Sequence, residues 1–347
     1  MMFETPGARV LDGRYEVLRV LGAGSFGEVY EVFDHNLRVH AALKLLGQAP
    51  SSGHPWAEAH VLQALDGPFV LKVLNADVYL GQQYIVTELA VNGTIADHIV
   101  SDVGVPVEQA RRWTRDLCHG VARMHRDRLV HRDIKPENVF LSAKGAAMVG
   151  DVGLAQLVDD DGSAAAAGTL LTMAPEVAGA ACGGPVNSYT VRSDVYSIGA
   201  SLYWMLAGHR VLPAATTYAD VVAGQPDDLA EAAPHVPLPL RKAVMKALSA
   251  DPAARFASVA ELDAAIGGVG SPRRRWDRRS PHSGHEQCFR GVGSSAAIEL
   301  CVVAQERPGT VALRHQYASG RSLAKHDRVV TRARLAAAIR STIRAIG

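Results

Sequence analysis

From Tyr15 to about Leu46 apolar and polar residues alternate with a period near two, in YEVLRVLG, GEVYEVFD and AALKLL, broken by Gly and by the turn DHN. This predicts a meander of antiparallel strands. After the loop GQAPSSGHP the period lengthens, and Ala57, Val61, Leu62 and Leu65 of WAEAHVLQAL fall on one stripe behind Pro55, as in a helix. VLKVLNADVYL and QQYIVTEL return to strand character. Beyond Val91 the spacing turns helical, with VEQARRWTRDLCHGVARMH the longest periodic run. The segment VYSIGASLYWMLAG, Val195 to Gly208, is the most apolar long stretch; it is too short to cross a bilayer and reads as a buried helix. The pattern is α+β: a small antiparallel sheet lobe with one helix, then a larger, mainly helical lobe.

Near Gly267 the pattern changes. Residues 268–284 are rich in Gly, Pro and Arg and read as a linker. Residues 285–347 read as a small α+β domain, with QCFRGVG, IELCVVAQE and TVALRHQY as three short strands and TRARLAAAIRSTIRAIG as an amphipathic helix. The charge divides at the same place. Residues 271–347 hold 15 Lys and Arg against 5 Asp and Glu, a balance of +10, and the rest of the chain carries −9. Cys118, Cys182, Cys288 and Cys301 are scattered with no C-x-x-C pair, which suits a reducing compartment. The first residues, MMFETPGARVLDGRYEV, contain no apolar block of the signal-peptide kind, so a cytoplasmic protein is expected.

Three places carry candidate chemistry. LGAGSFGEVY sets Gly22, Gly24 and Gly27 in a G-x-G-x-x-G array, which lets backbone amides approach a polyphosphate. A tight hairpin has the same composition. Strands on both sides of the array argue against a dinucleotide fold, where a helix would follow. Lys44 is alone among apolar residues in AALKLL; it is either a snorkelling edge-strand lysine or a buried cation needing an anion, for which Glu58 in the first helix is the natural partner. VHRDIKPENVF, from Val130 to Phe140, places His131, Arg132, Asp133, Lys135, Glu137 and Asn138 between two apolar ends. That is more charge than a solvated turn needs.

With GDVGLAQ from Gly150, MAPEV from Met173 and DPAARF from Asp251, the series resembles the protein kinase family over residues 12–267, and its KPEN sequence resembles the serine/threonine branch. The compactness of the series is similar to that of the bacterial eukaryotic-like enzymes. The resemblance implies a two-lobed fold and transfer of the ATP γ-phosphoryl group to Ser or Thr of proteins, autophosphorylation included, with ATP and Mg²⁺ as cofactors. It implies that Gly22, Gly24 and Gly27 cover the phosphates and that Leu21 and Ala23 also belong to the ATP-binding site. Lys44, held by Glu58, would reach their α and β oxygens. Val29 and Ala42 would sandwich adenine, Glu88 and Leu89 would meet its edge, and Thr87 would back the pocket. Asp133 would accept the substrate proton, Lys135 would steady the transferring group, and Asn138 and Asp151 would hold Mg²⁺. Asp194 would brace the catalytic loop, and Glu176 would pair with Arg255. Arg132 is the family's partner for an activating phosphate, with Ser163, Thr169 and Thr172 as the available hydroxyls. Thr169 is expected to contact Asp133 and Lys135. The run Asp159 to Asp161 reads as a solvated acidic loop tip.

One residue departs from the family: Val152 stands where Phe usually follows the metal-binding aspartate. Its smaller apolar surface supports an alternative, a catalytically weak nucleotide-binding scaffold whose basic C-terminal module binds the real partner. That module is expected to dock on its own kinase domain in preference to a phosphate backbone, with Trp276, Phe289 and Tyr317 as too few aromatics for a base-stacking platform. His282, His285, Cys288 and Cys301 have no recognised zinc-ligand spacing, and Cys301 reads as an ordinary small buried strand residue.

Overall fold

The computed structural model describes residues 10–24, 27–46, 57–270 and 272–346. The small lobe is a sheet of β1 (Val10–Leu11), β2 (Tyr15–Gly24), β3 (Gly27–Asp34), β4 (Val39–Leu45), β5 (Val73–Tyr79) and β6 (Gln82–Glu88), all antiparallel in the order β1-β2-β3-β4-β6-β5. Strand parity decides what it hides. Tyr15, Val17, Tyr30, Val32, Ala41, Leu43, Tyr84 and Val86 build the core of this lobe. The opposite parity, including the cross-strand pair Val29 and Lys44, faces the second lobe. The helix α1 (Ala57–Ala64) lies between β4 and β5 in the chain.

In the large lobe α2 (Val107–Arg126) buries Val107, Ala110, Trp113, Thr114, Leu117, Val121 and Met124 at helical spacing. The helix α4 (Val191–Ala207) is buried on nearly every side, as its unbroken apolar run requires. It ends on Gly208 at φ 81°, a left-handed position that glycine adopts without strain. The remaining helices are α3 (Pro175–Ala181), α5 (Tyr218–Ala223), α6 (Leu229–Ala232), α7 (Leu238–Ala247) and α8 (Val259–Gly267). Three short antiparallel pairs complete the lobe: β7 (Leu129–Val130) with β10 (Gln156–Leu157), β8 (Val139–Leu141) with β9 (Ala147–Val149), and β11 (Ala164–Ala165) with β12 (Asn187–Tyr189).

The C-terminal unit is a five-stranded meander of β13 (Arg274–Arg279), β14 (His285–Gly293), β15 (Ile298–Ala304), β16 (Thr310–Tyr317) and β17 (Arg328–Thr331). The helix α9 (Leu335–Ile346) lays Ala338 and Ile339 over Trp276, Phe289, Leu300, Val302 and Leu313. Here two expectations are corrected. Residues 268–284 are not a linker throughout, because Arg274–Arg279 is the first strand of the sheet, and the sheet has five strands where three were expected. Alternation turns Trp276 inward to 4% exposure. The terminal nitrogens of the Arg274 guanidinium donate to the carbonyls of Gly291 at 3.0 Å and Ala296 at 2.9 Å and to the Ser295 hydroxyl. Arginines with such partners sit in a strand without an apolar run to announce it. Trp276 and Phe289 are both core residues, so neither offers a base-stacking surface.

The sheet is held against the large lobe by its β13 edge. Asp277 Oδ1 accepts from the backbone N–H of Val107 at 2.9 Å, at the start of α2, where Pro106 supplies no side-chain cap. Arg278 donates to the carbonyls of Asp102 at 2.9 Å and Ala232 at 2.8 Å. Arg340 of α9 reaches the Ala230 carbonyl and pairs with Glu231 at 3.0 Å. Burial drives His235, whose ring lies 5.5 Å from that of Phe289, down to a pKa of about 3, so it packs here as a neutral ring.

Asp277→Ala removes the acceptor at a helix N-terminus and is expected to cost about 0.5–2 kcal/mol. Arg278→Ala strands two carbonyls and should cost about 1–3 kcal/mol. Urea unfolding of the full chain checks both, with the exposed Arg275→Ala as a control expected to lie within about 0.5 kcal/mol of the parent.

Candidate active site

Between the lobes lies a cleft of about 400 Å³, lined by Leu21, Gly22, Val29, Ala42, Leu71, Thr87, Glu88, Leu89 and Phe140 among others. Its roof is the free face of β2, β3 and β4; its floor is Leu71 and Phe140. Phe140 reaches it because β8 alternates, with Val139 and Leu141 turned into the large-lobe core and Phe140 turned out. Gly150 lies behind the ring. A Cβ there would come within 2.8 Å of Phe140, so the absence of a side chain lets the aromatic lie flat.

At the inner end of the cleft the two lobes are joined by charge. Lys44 Nζ stands 2.9 Å from Asp151 Oδ1, both side chains about a fifth exposed. Asp151 has φ 50°, a left-handed conformation uncommon for a residue other than glycine, and this turns its carboxylate out of β9 toward the lysine. Below them Asp133 is 4% exposed. Its Oδ2 accepts from Lys135 Nζ at 2.8 Å and Asn138 Nδ2 at 2.9 Å, and its Oδ1 accepts from the Thr169 N–H at 3.0 Å and hydroxyl at 2.9 Å. A buried carboxylate with four donors is held in one orientation.

That loop is anchored from beneath. Asp194, fully buried at the start of α4, accepts from the N–H of His131 at 3.0 Å and of Arg132 at 3.3 Å. His125 Nε2 lies 2.8 Å from its other side, and the Tyr189 hydroxyl donates at 2.8 Å. Burial pushes the Asp194 carboxyl up; the contacts with His125 and His131 outweigh it and leave the group below the ordinary carboxylate range. Arg132 is itself left-handed at φ 71°.

Residues 15–263 match the family described as "Protein kinase domain". The chain belongs to the protein kinase family. It is 31% identical over 274 residues to serine/threonine-protein kinase PknB of Mycobacterium leprae, covering 73% of this chain and 42% of the relative. To serine/threonine-protein kinase pkn2 of Myxococcus xanthus it is 33% identical over 217 residues, covering 58% and 25%. The CBL-interacting serine/threonine-protein kinase 9 of Arabidopsis thaliana is 31% identical over 215 residues, covering 59% and 47%. The chain thus spans less than half the length of these relatives.

Within this kinase fold most of the residues singled out from sequence converge. Leu21, Gly22, Val29, Ala42, Thr87, Glu88 and Leu89 line the cleft, and Lys44, Asp133, Lys135, Asn138 and Asp151 meet at its end. The side chain of Glu58, and those of Ala23 and the Gly24 position, lie outside what the structure describes. Leu71 and Phe140 were missed. Phe140 was legible as the out-facing member of an in-out-in strand; Leu71 carried no signal, since its contact depends on how the lobes meet. Glu176 and Arg255 pair at 2.7 Å with the arginine side chain fully buried.

The regulatory candidates have local partners. The Arg132 guanidinium donates to the carbonyls of Leu154 and Ala165, at 2.8 Å for the latter, so it ties together two points eleven residues apart in the chain after Asp151. Ser163 donates to Asp161 at 2.7 Å, Thr172 to the Ile134 carbonyl at 2.5 Å, and Thr169 is the Asp133 contact already described. Asp159, Asp160 and Asp161 are exposed, as a solvated loop tip would be. Val152 is 2% exposed and belongs to the large-lobe core with Leu62 of α1 and Leu65 just after it.

Because that core is closed around a valine, Val152→Phe is expected to overpack it at a cost of about 1–3 kcal/mol and to lower activity. A higher melting temperature together with higher activity would refute this. For Asp194 the sign follows from its depressed pKa: its ionised form adds stability that is complete above the unfolded carboxylate value and is lost as pH falls through the folded one. Asp194→Asn should therefore cost about 1–3 kcal/mol near neutral pH, with a deficit that shrinks only below about pH 4. Urea unfolding at pH 7, 5 and 3.5 would show it.

Proposed function

We propose that this chain is a serine/threonine protein kinase that transfers the γ-phosphoryl group of ATP to Ser and Thr hydroxyls of proteins, its own included. The observation that carries the reading is the arrangement of Asp133, Lys135, Asn138 and Thr169 facing the Lys44–Asp151 pair across a cleft of nucleotide size. Phosphoryl transfer asks a protein chiefly for positioning and for neutralisation of charge on phosphate oxygens. Lys44 is the cation for the α and β oxygens, and Gly22, Gly24 and Gly27 cover the phosphates. Val29 and Ala42 enclose adenine from above, with Leu71 and Phe140 beneath, and the backbone at Glu88 and Leu89 meets its edge.

Asp133 takes the proton of the substrate hydroxyl, and the Thr169 contacts keep its Oδ1 oxygen aimed while Lys135 stabilises the group in transit. The donor set also suits a hard cation. Asp151 offers a carboxylate, and Asn138 spends its amide nitrogen on Asp133, so its Oδ1 oxygen is the end for a metal. Mg²⁺ bound there would neutralise phosphate charge. Choice of Ser or Thr over Tyr is supported by Lys135 and by the names of the relatives. Four free cysteines support a cytoplasmic setting, and among the described residues no helix is long and apolar enough to cross a membrane.

The basic C-terminal unit is proposed as an intramolecular docking module, with phosphate-backbone binding as its rival. Its anchors are mainly arginine-to-carbonyl bonds, so docking should depend on salt less than the net charges suggest.

Asp133→Ala is expected to lower kcat for autophosphorylation by about 10²- to 10⁴-fold with ATP affinity nearly unchanged. Lys44→Met should weaken both. Incorporation of labelled phosphate by purified protein with Mg²⁺, alongside nucleotide binding, separates the effects. A wild-type chain that binds ATP and incorporates no label would favour the scaffold reading instead.

A further inference from the structure

The geometry points to a zinc site in the C-terminal unit, built from His282, His285, Cys288 and Cys301. Their ligand atoms all lie within 4.8 Å of one another. Cys288 Sγ is 3.4 Å from His285 Nδ1 and 3.7 Å from His282 Nδ1, and Cys301 Sγ is 3.8 Å from His282 Nδ1. The two sulfurs stand 3.2 Å apart. A tetrahedral ion with Zn–S near 2.3 Å and Zn–N near 2.05 Å holds sulfur and nitrogen about 3.6 Å apart and two sulfurs about 3.8 Å apart. These three sulfur-to-nitrogen distances lie within about 0.2 Å of that value, and the sulfurs need to separate by only about half an ångström. The chain spacing still matches no recognised zinc motif; it is folding that brings the four together.

Each ligand is placed by a distinct feature of the sheet. Cys288 and Cys301 are direct cross-strand partners of β14 and β15, on the face away from Phe289 and Leu300. His285 is three residues before Cys288, and in a regular strand it would point to the other face. The register of β14 against β15 shifts between His285 and Gln287, and this bulge adds the one residue that returns His285 to the cysteine face. His282 arrives by a turn in which the His285 N–H bonds the His282 carbonyl at 3.0 Å and Gly284 sits at φ 78°. The two imidazoles meet edge to face, 5.3 Å between ring centres.

Burial fits a metal better than it fits four free side chains. Both cysteines are under 4% exposed, while His282 is exposed and leaves a path for an ion to enter. Binding would send two thiol protons to solvent and leave a site of two thiolates, two neutral imidazoles and Zn²⁺ with no net charge. The set has four protein donors and no open position, which marks a structural and not a hydrolytic zinc. It would cross-link the β13–β14 turn to β14 and β15, in a unit whose small core is short of other staples.

The test uses the full chain purified under reducing conditions. Elemental analysis is expected to find about one zinc per chain, falling at least tenfold in Cys288→Ser and in Cys301→Ser and unchanged in Cys182→Ser, whose cysteine is exposed elsewhere. Replacement by Co²⁺ should give the intense visible bands of a tetrahedral thiolate site. A chelator should make two further thiols reactive to alkylation, and added Zn²⁺ should protect them again. If the serine variants fail to fold, the wild-type cobalt spectrum and the thiol protection still decide. A chain without zinc and without cobalt bands overturns the proposal, as does a Cys288–Cys301 disulfide found by mass spectrometry in reduced preparations or zinc retained in both serine variants.

Discussion

A carboxylate with no solvent contact holds the catalytic loop in place. Asp194 takes two backbone N–H groups from His131 and Arg132, and a neighbouring imidazole and phenol fill its remaining directions. An unpaired charge there would be intolerable. With every direction filled, the group dictates the path of the chain, including the left-handed Arg132, whose conformation costs of order 1 kcal/mol and persists only where its surroundings over-determine it. Asp133 follows directly, and its position is inherited from that strained residue. The Asp133 carboxylate is thus precise because a second carboxylate, one layer deeper, is held on every side.

Across the cleft the logic is reversed. Lys44 and Asp151 belong to different lobes, each partly exposed, and their 2.9 Å contact is one that solvent and bound phosphate can both compete for. The rigid anchor lies within one lobe and the exchangeable contact lies between lobes. That division would suit the proposed nucleotide cycle, in which a cleft opens and closes around a rigid loop.

Much of this was legible in the sequence because the residues involved are chemically conspicuous. A lysine amid apolar strand residues, a run of charge between two apolar ends and a glycine array each demand an explanation locally. What was not legible depends on three-dimensional company. Arg274 and Arg278 gave β13 the look of a linker, since the carbonyls they donate to come from other segments. Leu71 meets the cleft only once the lobes are together. The His and Cys cluster was hidden more deeply: its spacing is meaningless without the bulge that changes strand parity, and a bulge leaves no reliable mark in the sequence.

The helix α2 joins these levels. Its first N–H rests on Asp277 of the C-terminal sheet, and His125, near its other end, rests on Asp194. Twenty residues of α-helix form a stiff rod about 30 Å long. The rod makes the two ends one thermodynamic object. A ligand of the C-terminal unit that moved this rod would also strain the Asp194 contacts at the far end, and linkage would make any such coupling reciprocal.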